Sequence, residues 1–234
     1  MTIITRLATP LAGSDIASLP RLSWASGLNP NRRWVPSTLP AESASITSWA
    51  DSIGAVALTN TTTPADVPTV AVEAGTKYAA FNGVSNRLTK ATLSLATMHT
   101  VLVIGRPNTG DVYAGASTGP ICHTGSVQVL HGVGADVASI TSGAATLAAV
   151  RDKWHMYAFS LPDTGDGTFV VDGNSTTFAP GTRTLDQLNL ARSGSNYRQL
   201  RVLEVVTSAD VFTSAQLIAA YNSAKAWYPN LAWA

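Results

Sequence analysis

Few residue groupings in this chain have the types and spacing that chemistry requires. Gly115-Ala116-Ser117-Thr118-Gly119 matches the Gly-x-Ser-x-Gly pattern of a serine nucleophile elbow. An elbow needs a strand before the serine and a helix after it. Pro120 follows at once, and β-type sequence follows Pro120, so the segment reads as a loop. Asp163-Thr164-Gly165-Asp166-Gly167, with Asp172 nearby, could offer oxygen ligands to calcium. Its spacing lacks the alternation of a helix-loop-helix calcium loop, and Asp and Gly are also the ordinary residues of turns. Asp163 and Asp166 are therefore candidate calcium ligands in what is first a turn, and no other cofactor is expected. His99, His123, His131 and His155 do not pair at a metal-ligand spacing. The single cysteine, Cys122, has no intramolecular partner and reads as a small packing residue.

Six Trp and six Tyr could supply stacking surfaces for sugars, whose polar neighbours would fix the hydroxyls. Trp227 and Trp233 stand at the C-terminal end and read as packing or interface residues. Tyr113, Asn196, Tyr197 and Arg198 fall in loop-like sequence and are the candidate glycan contacts.

The elements that would position these residues are mostly strands. Trp154–Leu161, Phe169–Val171 and Leu200–Val206 are apolar β-type runs. Gly- and Asp-rich turns separate the first two, and Asp172-Gly173 opens another turn. Val70–Val72 and Tyr78–Phe81 flank a turn at Glu73-Ala74-Gly75-Thr76. Thr100–Ile104 is nearly continuous in apolar character, which predicts a central strand covered on both faces. Val127, Val129 and His131 alternate with Gln128 and Leu130, as a half-buried strand does. Thr213 and Gln216 stand at capping-box spacing, so a helix starts there. Leu217, Tyr221, Ala224 and Tyr228 share one face of it, suited to lying across a sheet edge or a sandwich end. Short strands with regular turn signals and no internal repeat predict an all-β sandwich or barrel, and the closing order of strands and helix favours a sandwich.

Of 234 residues, 45% are hydrophobic and only 12% charged, with a net charge of +1. Such a chain can fill a core, and its weakly charged surface suits a protein covered by partners in an assembly and, almost as well, an extracellular protein. Nucleic-acid binding is not expected, because phosphate neutralisation needs a clustered basic face. The adjacent pair Arg32-Arg33 sits in a loop-like context. No window approaches the roughly 18 apolar residues of a membrane span. The first residues are broken by Arg6 and Pro10 and lack the apolar stretch of a secretion signal, so synthesis in the cytoplasm without export is expected.

Residues 1–40 differ from the remainder, 41–234. Pro10, Pro20, Pro30, Pro36 and Pro40 punctuate them, and Arg6, Arg21, Arg32 and Arg33 stand against Asp15 alone. An extended N-terminal arm is expected, which either wraps its own domain or reaches onto a neighbour. Trp24 and Trp34 need somewhere dry to sit. Trp24, Arg32, Arg33 and Trp34 are thus the candidate partner-binding residues.

The order of these segments resembles the concanavalin A-like, laminin-G-like jelly-roll superfamily. The resemblance runs through Ser48–Gly54, Tyr78–Gly83 with Leu88, Trp154–Phe159, Phe169–Gly173, Leu188–Arg192, the strand around Leu203, and the helix at Ser214–Tyr221. It implies a two-sheet antiparallel jelly-roll sandwich closed by one short C-terminal helix, with Trp49 and Trp154 in its core. It also implies a bacteriophage virion protein: a tail or baseplate component, with a capsid decoration protein or a carbohydrate-binding adhesin, with or without calcium, as alternatives. The implied partners are other virion proteins, further copies of the chain, and a host-surface glycan. Glucanases of the superfamily carry alternating carboxylates on one strand. Glu204 stands alone in Val202–Val206, so no enzyme of that kind is expected.

Overall fold

A computed structural model describes residues 30–53, 56–60, 66–90, 98–108, 118–132, 136–140, 145–181, 185–193 and 196–234. In chain order the strands are β1 (Arg32–Trp34), β2 (Ser48–Ala50), β3 (Ala57–Thr59), β4 (Thr69–Glu73), β5 (Thr76–Asn82) and β6 (Leu88–Lys90). Then come β7 (Thr100–Pro107), β8 (Thr118–Thr124), β9 (Val127–Gly132), β10 (Val137–Ile140), β11 (Ala145–Ala148) and β12 (His155–Ser160). The last are β13 (Gly167–Val171), β14 (Asn174–Phe178), β15 (Leu188–Leu190), β16 (Arg192–Ser193), β17 (Asn196–Tyr197) and β18 (Gln199–Ser208). Helix α1 (Ser214–Trp227) follows.

Two antiparallel sheets pack face to face. Sheet A runs β14-β13-β12-β7-β18-β5-β4, with β1 added beside β18. Sheet B runs β11-β10-β9-β8-β15-β6-β3-β2. The fold is an all-β sandwich with a C-terminal helix, as the segment order predicts. Trp49, Val103, Phe159, Phe169, Leu190 and Val205 belong to the core between the sheets. A second apolar layer lies on the outer face of sheet A, where Leu102, Ile104, Met156 and Val170 meet Leu217, Tyr221 and Ala224 of α1.

This second layer explains β7 and β12, whose residues are buried almost throughout. A strand covered on both faces loses the usual alternation. It also corrects the expected position of the helix, which lies over a sheet face and not a sheet edge or sandwich end. The apolar residues that β7, β12 and β13 turn away from sheet B need that cover. The capping box is present: the Gln216 amide N–H donates to Thr213 Oγ1 at 3.3 Å, and the Thr213 amide N–H donates to Gln216 Oε1 at 2.9 Å.

The predicted turns form for recognisable reasons. Ala74 and Gly75 both have positive φ, 49° and 79°, in the tight turn between β4 and β5. Asp172, at φ 56°, and Gly173 make the two-residue turn between β13 and β14, whose register sets Val171 opposite Asn174. The Gly-x-Ser-x-Gly segment falls largely outside the described residues. Thr118–Thr124, which contains its end and Pro120, is a strand, so the helix of an elbow does not follow.

Residues 30–40 of the expected arm lie against the sandwich itself. β1 pairs with the second half of β18, setting Arg32 opposite Thr207 and Trp34 opposite Val205. Trp34 is fully buried in the inter-sheet core. Arg33 is buried against Glu204. Arg32 lies 3.7 Å from Asp51 and donates to the Asn31 carbonyl. These three expected partner contacts are therefore spent inside the domain, because the open edge beside the end of β18 accepts a short strand. Trp24 lies outside the described residues.

A bulge in β18 makes the Arg33–Glu204 pair possible. The register against β7 shifts between Val202 and Glu204. Leu200, Val202 and Val205 then face the inter-sheet core, while Leu203 and Val206 face the helix layer. The extra residue lets Glu204 turn toward the helix side, where Oε2 accepts from the Tyr228 hydroxyl at 2.9 Å. The Arg33 guanidinium also lies 5.0 Å from the centre of the Trp227 ring. Removing one member of a buried pair leaves the other charge uncompensated. Glu204→Ala is expected to lower the unfolding free energy in urea by about 3–5 kcal/mol. The double variant Arg33→Met, Glu204→Leu should recover most of that loss. An equal loss in both would show that the pair's charge is not what matters.

Candidate functional site

The two sheets present very different outer faces. Sheet A is covered by α1 and the C-terminal residues; Trp233, for example, packs edge-on to Tyr221 at 5.8 Å. The strands of sheet B turn one face to the core and leave the other exposed or half-exposed, as in β9.

Six polar side chains line up across that open face. Ser48 pairs with Thr59, Thr59 with Thr89, Thr89 with Asn189, Asn189 with His123, and His123 with Gln128. Directly opposed residues of antiparallel strands project from the same face. The row therefore crosses β2, β3, β6, β15, β8 and β9 at one level. Their inward neighbours Trp49, Leu58, Leu88, Leu190, Cys122 and Val129 are buried. None of the six row residues is an acid or a permanent cation. His123 Nε2 donates to the Gly125 carbonyl at 2.8 Å, which leaves Nδ1 to face the Asn189 amide at 3.5 Å. The Asn189 amide also donates to Gln187 Oε1 at 3.2 Å.

Tyr197, a predicted glycan contact, stands beside this row. Its hydroxyl accepts from Arg87 Nη1 at 3.0 Å, and the Arg192 guanidinium lies 5.7 Å from its ring centre. Arg87 lies two residues before Thr89, and Arg192 three after Asn189, so the group flanks the middle of the row. Asn196 pairs with Ser193 in the two-stranded β16–β17 ribbon. Tyr113 lies outside the described residues.

Arg198 departs from expectation. It is fully buried, and Nη1 donates to the His131 carbonyl at 2.7 Å. The cause is alternation: Arg198, Leu200 and Val202 share the core face of one extended segment. Arg198 is thus part of a polar cluster that ties the sheets together at one end. His131 comes from sheet B, and His155 and Tyr157 from sheet A, with His131–Tyr157 and His155–Tyr157 ring centres 6.3 and 5.6 Å apart. His155 Nδ1 faces Asp172 Oδ2 at 2.7 Å, and Asp172 Oδ1 accepts from the Met156 amide at 3.0 Å. Burial, with the Arg198 charge second, lowers the His131 pKa from 6.5 to about 4. Burial also pushes the Cys122 thiol up to about 12, which suits packing and not reactivity.

The candidate calcium ligands do not build a cage. Asp163 is 91% exposed at its side chain and stands 3.8 Å from His99 Nε2. Asp166 is exposed in the same turn. Asp172 lies at the far end of β13, about 17 Å of strand away, with its carboxylate held by His155 and Met156. Calcium takes six to eight oxygens. Among the described residues no group of three or more His, Cys, Asp or Glu is arranged to hold a metal.

A second polar group was not visible in the sequence. Arg106 and Arg201 stand opposite each other across β7 and β18. Glu73 of β4 bridges them, at 2.8 Å from Arg106 Nη1 and 3.1 Å from Arg201 Nη1. Asp152 also accepts from Arg106, and the Trp154 indole N–H donates to Glu73. Glu73 looks isolated in sequence because its partners come from strands 33 and 128 residues away.

No family model and no curated protein sequence matches the chain. Solved structures match it at low identity. A Trypanosoma rangeli sialidase in complex with sialic acid shares 12% identity at a TM-score of 0.60, over 83% of this chain and 33% of that one. The same organism's sialidase with 2,3-difluoro-KDN shares 11% at a TM-score of 0.61, over 83% and 32%. The receptor-binding domain of botulinum neurotoxin type G gives 7% at 0.47, over 84% and 52%, too distant to carry weight. The chain thus spans about a third of the length of those sialidases, and the likeness shows the β-sandwich fold alone.

The depressed His131 pKa has a consequence for stability. Between pH 6.5 and about 4 the unfolded chain binds a proton there that the folded chain does not. Stability from this residue is complete above pH 6.5 and is lost as pH falls toward 4. The loss is on the order of 3 kcal/mol; the Arg198 and His155 charges add to the burial that lowers this pKa, and the Gly132 and Ala149 carbonyls oppose it. Urea midpoints measured from pH 7 to 4 should fall, and His131→Asn should flatten that fall. An unchanged slope in the variant would remove His131 as its source.

Proposed function

We propose that this chain is a non-enzymatic structural protein of a bacteriophage virion, a tail or baseplate component that presents a lectin-like sandwich for assembly and host-surface contact. The observation that carries this reading is the asymmetry of the two sheets. Sheet A is sealed by α1, whereas sheet B keeps a broad polar face outside. A domain built this way has one side finished by its own chain and one side available to something else. The laminin-G-like order of segments supports the virion setting, and so does the low charge, 12% of residues, which suits a surface covered by partners.

The charged groups inside the fold serve structure under this reading. Glu204 is held by Arg33 and Tyr228, Asp172 by His155 and Met156, and Glu73 by Arg106 and Arg201. Glycoside hydrolysis by paired carboxylates needs two of them free to flank a sugar bond. A carbohydrate-binding adhesin is the second reading, favoured by the uncharged row on sheet B. A capsid decoration protein is the third setting for the same scaffold.

Attachment to a virion partner falls to residues 1–29, since Arg32, Arg33 and Trp34 are occupied within the domain. Purified particles should contain the chain in a fixed copy number, in tail fractions, by quantitative mass spectrometry. A chain lacking residues 1–29 should keep the cooperative unfolding of the full protein yet fail to enter particles. Absence of the chain from purified particles, or full incorporation of the truncated form, would sink this reading.

A further inference from the structure

We propose that His131 and His155 form an acid-released clasp on the chain that crosses from sheet B to sheet A, so that β10 and β11 open before the rest of the sandwich. The clasp does not depend on the assembly in which the chain works. The two histidines stand on opposed sheets, near the end of β9 and at the start of β12. His131 Nε2 donates to the Ala149 carbonyl at 2.9 Å, and His155 Nε2 donates to the Val150 carbonyl at 2.6 Å. Consecutive carbonyls of the segment between β11 and β12 are thus held from both sheets. With Nε2 donating, Nδ1 of a neutral His131 is an acceptor, and it lies 3.4 Å from Arg198 Nη2. A second proton on this ring would sit on Nδ1, beside a guanidinium, in a fully buried site.

The surroundings of the ring set the direction of the switch. The Gly132 carbonyl, 3.0 Å from Nδ1, favours the second proton, but burial and the Arg198 charge oppose it more strongly. His155 on β12 lies with its ring centre 6.5 Å away, and the Tyr157 ring packs edge-on. Asp172, after β13, is held by His155 and the Met156 amide. Asp136, just before β10, pairs with Arg151 of the crossing segment at 3.1 Å. Neither carboxylate bonds to His131. Opening hydrates the ring and lets it take the proton that the closed form refuses. With pKa values of 6.5 open and about 4 closed, opening gains about tenfold for each pH unit below 6.5, on the order of a hundredfold by pH 4.

Opening is local because these two strands carry little of the core. They end sheet B, and their buried apolar residues are Ala138, Ile140 and Ala145, with Leu147 partly buried. Trp34, Trp49, Phe159 and Phe169 lie on other strands. Releasing β10 and β11 therefore costs less than unfolding the sandwich. Because β11 packs across β13 and β14, its release uncovers apolar core at that end in acid alone.

The test is hydrogen exchange of the full chain at pH 7 and pH 4, with exchange times scaled to equal intrinsic rates. Amides of β10 and β11 should exchange roughly a hundredfold faster at pH 4, while those of β7, β12 and β18 stay protected. His131→Asn supplies an amide that can donate to Ala149 and accept from Arg198 without titrating. It should hold the acceleration in β10 and β11 below about threefold. In the wild type, the His131 ring resonances should titrate over the same pH range as the opening, a readout that stands even where the variant does not fold. Equal acceleration in every strand, none in β10 and β11, the same acceleration in wild type and variant, or a His131 titration at a different pH from the opening would each overturn the proposal.

Discussion

Burial of the central strands of sheet A on both faces is the constraint from which the rest of this fold follows. β7, β12 and the second half of β18 carry apolar side chains toward sheet B and toward α1 alike. The two layers support each other: the helix seats its apolar face on this sheet, and the sheet's outer residues would otherwise lie in water. At about 25 cal/mol per Å² of buried apolar surface, such a layer is a large part of what holds a domain of this size together.

The same constraint decides where charge can go. A strand covered on both faces has no solvated side on which to place Glu204. The bulge turns it toward the helix layer, where Arg33 arrives on β1 and Tyr228 from the end of α1. The pair therefore ties three distant pieces of chain to one point. A related device operates at the sheet-to-sheet end, where Arg198, His131, His155 and Asp172 form a polar cluster reaching both sheets. In each case the polar residue is fixed by partners that no local stretch of sequence contains.

One side of the sandwich escapes this constraint. Sheet B is covered once, so its strands alternate, and their outward positions are free to be polar. Alternation is legible in Val127–Gly132 and predicts Gln128 as an outward residue. Nothing in the sequence says that Gln128, His123, Asn189, Thr89, Thr59 and Ser48 stand at one level. That follows from registers between strands separated by up to about a hundred residues. Tyr197 is recognisable as a surface aromatic, but its neighbour Arg198 is not recognisable as core. The polarity of arginine argues for exposure, and only its place in the alternation with Leu200 and Val202 argues for burial.

Readable from the residues alone are the apolar strands such as Thr100–Ile104 and Trp154–Leu161, the turns at Ala74-Gly75 and Asp172-Gly173, the capping box of α1 and the packing role of Cys122. Each depends on local rules: period, positive φ, cap spacing and side-chain size. The folded chain was needed to place residues 30–40 in the sandwich, the helix over a face, Asp172 apart from Asp163 and Asp166, and six polar side chains in a row. These depend on strand order and register. Both are set by how two faces of apolar surface are buried at once, a global condition that no short window of residues encodes.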